Sequence, residues 1–135
     1  MNKKFWTSFL VVYIMMNILN FVIHAVLLAG TYQSEAVARI MRPEQDQLMW
    51  VHFVTALVFS FFFTLIFSKG YEGKGIGEGL RFGVYVGMMV AVPMAYDSFA
   101  VYPIPYSLAI QWFFYGFLQY VILGVTAAAL YGKKQ

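Results

Sequence analysis

Cysteine is absent from the sequence, and charge is scarce: six acidic and nine basic side chains make up 11% of the 135 residues. Without cysteine there are no disulfides, no thiolate catalysis, no Cys-ligated zinc and no iron–sulfur cluster. The shortage of charge excludes an ordinary soluble domain, in which about 25% of residues are charged. With 61% of the chain hydrophobic, a soluble fold of this length could not hide its apolar surface, because a small domain keeps a high surface-to-volume ratio. The net charge of +3 comes from Lys and Arg scattered at the ends of apolar stretches, which leaves no basic patch for nucleic acid. No acidic residue sits in the middle of such a stretch, where a proton-coupled exporter would need one. The few serines have no His–acid arrangement near them in sequence, so no nucleophilic triad is assembled and no catalytic residue stands out.

What is abundant is apolar and aromatic. Aromatics reach 20%, with 14 Phe and 10 Tyr, a composition suited to acyl chains and headgroups. Four apolar stretches cover residues 5–29, 48–67, 77–96 and 106–131. Each meets the requirement of about 20 helical residues for a bilayer core. Lys3 and Lys4 precede the first as they would in a secretory signal, but its apolar region exceeds the roughly 7–15 residues such signals use. The fold expected is all-α: a single domain forming a four-transmembrane-helix antiparallel bundle, because short connections make sequential helices neighbours.

Basic residues set the orientation. Lys3, Lys4, Lys69, Lys74, Arg81, Lys133 and Lys134 fall on the side of the termini, and only Arg39 and Arg42 on the other. The positive-inside rule then places both termini in the cytoplasm. The first outer connection carries a short amphipathic helix over 34–42. Ala36, Val37, Ile40 and Met41 form one face, Glu35, Arg39 and Arg42 the other, with Ser34 as N-cap. Pro43 ends this helix and opens the second span. The connection over 68–77 is a glycine-rich turn whose spacing fits no phosphate loop. The alternating prolines of 102–106 force an extended outer connection.

Gly79, Gly83, Gly87 and Ala91, continued by Ala95, recur every four residues on the third helix. Such a stripe admits close helix approach. Gly116, Gly124 and Ala128 offer a complementary surface on the fourth, and a second protomer is the alternative partner. Polar residues also line up: Tyr13, Asn17, Asn20 and His24 on the first helix, and Gln111, Tyr115 and Gln119 on the fourth. Facing lipid is costly, so both rows should point inward, as interhelical hydrogen bonds or as the lining of a ligand site. Glu78 and Arg81 are spaced for an ion pair at the inner end of the third helix.

Helix polarity brings His24, His52 and Asp97 to one level near the outer surface, the depths agreeing to roughly one turn. Two His and a carboxylate can hold a divalent metal, and two His can ligate haem iron. Pro93, one turn before Asp97, should loosen the third helix and free a carbonyl.

The run 78–83 (EGLRFG), Pro93, Tyr96-Asp97, the Tyr-Pro-Ile-Pro segment, Gln111-Trp112, and Asn20 with His24 resemble small bacterial four-helix integral membrane proteins of unknown function. The resemblance implies an inner-membrane protein and brings no activity with it. Three functional readings follow. The first is a noncatalytic accessory subunit or oligomeric scaffold, as a homo-oligomer or within a larger membrane complex. The second is a metal- or haem-binding protein using the outer His/His/Asp cluster. The third is a small dimeric transporter built around the polar rows.

Overall fold

A computed structural model describes residues 1–132; Lys133 and Lys134, used above for orientation, lie outside the described residues. Helix α1 (Lys3–Phe21) runs into a π-helical turn (Val22–Leu27) and is followed by the short helices α2 (Ala29–Gln33) and α3 (Glu35–Ala38). A 3-10 turn (Glu44–Asp46) leads to α4 (Met49–Gly70), α5 (Ile76–Val101) and α6 (Tyr106–Tyr131). Four helices are long and apolar enough to cross a membrane: Lys3–Leu27, Met49–Gly70, Ile76–Val101 and Tyr106–Tyr131.

Helix α1 begins where Asn2 caps it, its side chain accepting from the Phe5 amide at 3.0 Å, as a short polar residue does for an otherwise orphaned donor. The first long helix ends about where the apolar stretch does, but its last six residues are π-helical. The third is longer than expected: α5 passes through Pro93 and continues to Val101. A proline removes one backbone hydrogen bond, and where water is excluded the rest of the ladder still holds the helix together. The Ser98 hydroxyl, donating to the Met94 carbonyl at 2.6 Å, braces the turn that follows.

The outer amphipathic segment also differs in detail. Only Glu35–Ala38 is helical. Ser34 stands at its N-cap, as expected, and its carbonyl accepts from the Ala38 amide at 2.8 Å; its side chain makes no capping bond, because the hydroxyl donates to the Thr31 carbonyl at 2.7 Å and so closes the end of α2. The two faces separate in part. Val37 is fully buried and Ile40 half-buried, while Ala36 and Met41 stay exposed and Glu35 pairs with Arg39 on the outer side. Pro43 does not open α4 but precedes the 3-10 turn.

Helices α5 and α6 form the tightest pair. An added Cβ at Gly79 would lie 2.2 Å from the Gly124 carbonyl oxygen, and one at Gly83 2.6 Å from that of Tyr120. The small-residue stripe therefore faces α6 of the same chain. Helix α4 is held off this pair by aromatic rings: Phe63 and Phe67 meet Phe82 at 4.8 and 5.3 Å, Phe59 meets Tyr120 at 5.2 Å, and Phe67 meets Tyr131 at 5.5 Å. Helix α1 packs on both α4 and α6; its buried residues include Ser8, Val12 and Met16, and those of α4 include Ala56, Ser60 and Thr64. The hydroxyls of Ser8, Ser60 and Thr64 are buried and bond to no described residue; small side chains such as these let helices approach closely.

The two ends differ. At the end bearing the termini, the Lys4 ammonium donates to the Tyr131 carbonyl at 3.2 Å and the Tyr71 hydroxyl to that of Gly132. These contacts satisfy carbonyls at the end of α6, which otherwise lack partners. At the opposite end, α2 and α3 fold back as a lid. Val37, Ile104, Leu108 and Ala109 form a small separate core, flanked by Tyr32, Ile40 and Trp112.

Candidate functional site

The lid end brings two of the polar side chains that the sequence singles out, His24 and Gln111, against residues of α2. The π-helical turn is the first element of the site. The Leu28 amide donates to the Ile23 carbonyl at 2.9 Å, five residues back. Such wide turns are rare and recur at functional positions. The turn breaks the α-helical period just before the lid, so His24 is placed by the π geometry and not by its spacing from Asn20.

His24 stacks almost parallel to Tyr32, with 7° between the planes and 6.0 Å between centroids. Its Nδ1 lies 2.6 Å from the Tyr32 hydroxyl, which also accepts from the Trp112 indole N–H at 2.9 Å. The hydroxyl proton needs an acceptor, and the Nδ1 lone pair is the one within reach. The chain therefore runs from indole N–H to phenol O–H to imidazole, which leaves the His24 proton on Nε2. Beside it the Thr31 hydroxyl donates to Gln111 Oε1 at 3.1 Å. Deeper in the bundle, Gln119 is buried and its Nε2 donates to Asn20 Oδ1 at 2.8 Å. Asn17 does not reach across: its amide donates to the Tyr13 carbonyl of its own helix at 2.8 Å. Tyr115 hydrogen-bonds to no described residue and packs edge-on against Phe114.

No family model, curated protein or solved structure matches the chain.

The expected metal triad does not assemble. Among the described residues no three His, Asp or Glu side chains come together as a metal site. His24 and His52 are close enough to interact electrostatically, but Asp97 is exposed on α5. The reason is helical phase. The stripe ending at Ala95 faces α6, and a residue two positions further on lies about 200° around the helix.

The expected ion pair between Glu78 and Arg81 is likewise not formed. The Glu78 carboxylate turns back to the preceding loop and accepts from the Glu72 and Lys74 amides at 2.5 and 2.9 Å. Gly73 and Gly75, both at φ 87°, allow the left-handed bends of this loop. Satisfying two backbone donors outweighs an exposed side-chain pair worth a few tenths of a kcal/mol. Glu72 pairs with Lys74 instead.

Tyr32 was missing from the sequence-based set because a tyrosine in a connection reads as an interfacial anchor. Burial pushes its phenol above the usual value of 10, and the Trp112 hydrogen bond pulls weakly the other way. The consequence has a definite sign. A raised folded-state value means that docking of the lid is fully supported below pH 10 and weakens as pH rises through the higher value. The phenolate difference spectrum of the native protein minus Tyr32→Phe should therefore develop above pH 10. A difference titrating at or below 10 would contradict the buried placement. At neutral pH, Tyr32→Phe should cost about 1 kcal/mol, since it strands two partners.

Proposed function

We propose that this protein is a noncatalytic multi-pass protein of the bacterial inner membrane, its termini cytoplasmic, acting as an accessory subunit or oligomeric scaffold. One observation carries the reading: the polar groups that join the long helices and the lid are committed to each other. Gln119 is spent on Asn20, Gln111 on Thr31, and Tyr32 on both His24 and Trp112. A transport path or a catalytic centre keeps such groups available for substrate. Here they lock helices together. Exposed apolar side chains such as Phe53, Leu57, Phe62 and Ile66 along α4 provide surface for lipid and for a neighbouring subunit. The basic residues at the terminal end support the orientation.

The native protein in a mild detergent is expected to run as a homo-oligomer or with a stoichiometric partner subunit, and to be colourless. A monomer at every concentration would overturn the scaffold reading. So would a Soret band or a bound metal that His24→Ala or His52→Ala removes. Orientation is read separately, because no native cysteine interferes. A membrane-impermeant maleimide should label Gln45→Cys in intact cells and Gly73→Cys only after permeabilisation. The reverse pattern would invert the topology.

A further inference from the structure

We propose that the groove between the lid and the start of α4 holds the headgroup of an anionic phospholipid. The groove has a volume of about 350 Å³ and is open along one side, at the low end of ligand-sized clefts. Its apolar lining comes from Ile40, Leu48 and Val51, and its polar lining includes Arg42 and His52. These two side chains are not engaged in a hydrogen bond or ion pair with a described residue, although His52 lies near enough to His24 to interact with it electrostatically. Arg39 is paired with Glu35, and His24 is engaged with Tyr32. The Arg42 guanidinium forms no ion pair with a described residue; only its backbone carbonyl is used, by Gln47 at 3.4 Å. The His52 ring is similarly uncommitted, its carbonyl alone accepting from Thr55. A cation and a ring N–H donor thus face one amphipathic groove without a counter-group.

The occupant follows from charge and depth. A phosphodiester offers acceptor oxygens and a single negative charge, which suit the planar fork of Arg and the imidazole donor. Trp50, 65% exposed beside the groove, is the kind of side chain that sits at headgroup level. Below it Val54 and Val58 continue the exposed apolar face of α4, along which an acyl chain can lie. A zwitterionic lipid brings its own ammonium group, which Arg42 repels; an anionic lipid does not. Glu44 and Asp46 belong to the same connection but do not line the groove. The inference depends on neither the orientation nor the scaffold role.

The test is native mass spectrometry of the full-length protein in a neutral detergent, titrated with phosphatidylglycerol or phosphatidylcholine. The native protein should bind the first in preference. The double variant Arg42→Gln/His52→Gln should lose about tenfold in its occupancy, close to what removing a surface cation and a donor is worth. Phosphatidylcholine adducts should not change. Lys3→Gln/Lys4→Gln, which removes cations at the opposite end, should keep the Arg42-dependent difference. Both altered residues of the groove are exposed, and matching melting curves would establish that the variants fold. Equal binding of the two lipids by the native protein would overturn the proposal. So would full retention of phosphatidylglycerol by the double variant.

Discussion

Alanine at Gly83 or Gly124 is expected to cost about 3 kcal/mol or more, the upper range for overpacking a filled core. A Cβ at Gly83 would stand 2.6 Å from the Tyr120 carbonyl oxygen and 2.7 Å from the Val121 Cα. One at Gly124 would stand 2.3 Å from the Gly79 carbonyl oxygen and 2.8 Å from the Gly83 nitrogen. Every one of these obstacles is backbone. A flexible side chain could swing aside, but a helix can only move away as a body. Separation of α5 from α6 would lift the contact along the whole stripe, from Gly79 to Ala95. Because lipid offers the two helices no hydrophobic reason to associate, van der Waals contact is what holds them. The matched controls are Gly30→Ala and Gly77→Ala, where an added Cβ meets nothing within 4 Å. These should shift stability by no more than about 0.5 kcal/mol. Heating in detergent followed by size-exclusion recovery would show the contrast as a midpoint lowered by roughly 10 °C for the buried pair only. Equal midpoints for Gly83→Ala and Gly77→Ala would mean that α5 and α6 are not this close.

The same contrast shows what is readable in this sequence and what is not. Apolar run length alone predicts four long helices, and the fourth is bounded by the same residues in both descriptions, 106–131. The period of four on α5 is equally visible. Three features escaped for physical reasons. The π turn at Val22–Leu27 holds a single polar residue, His24, whose four-residue spacing from Asn20 is that of an unbroken α-helix and so gives no sign of the wider winding. The extension of α5 to Val101 conflicts with a proline rule that weighs most where water competes for the freed carbonyl. The Glu78 carboxylate bonds to loop amides, and spacing along a helix reports only neighbours on that helix. Helix polarity puts His24, His52 and Asp97 at one expected depth, and the two histidines do interact electrostatically. Depth, however, carries no information about azimuth, and azimuth is what separates Asp97 from them. The lid was the least legible part, since its hydrophobic contacts join two connections, Val37 on one and Ile104 on the other.

That lid is the subject of the second large effect. Val37→Asp should release it from the bundle. Val37 is fully buried against Ile104, Leu108 and Ala109, and no cation is among the residues of that small core. An unpaired carboxylate there would cost several kcal/mol if the lid stayed in place. It need not stay. Helices α2 and α3 span few residues and are tied down mainly by this cluster and by the Tyr32 and Thr31 hydrogen bonds. The cheaper response is local opening, with the aspartate carried into water, so the total cost is capped at the free energy of docking. Two measurements separate the outcomes. Trypsin cleavage after Arg39 should accelerate at least about tenfold, the effect of shifting a local opening equilibrium by 1.4 kcal/mol; the Arg42–Pro43 bond resists trypsin and does not confuse the readout. The melting midpoint of the bundle should stay near that of the native protein, because the α5–α6 stripe and the aromatic layer around Phe82 are untouched. A variant that melts early without faster cleavage would show that the lid and the bundle form one cooperative unit. The Gln119–Asn20 bond and the stacked His24–Tyr32 pair would then belong to a single network, and opening the lid would loosen the helices beneath it.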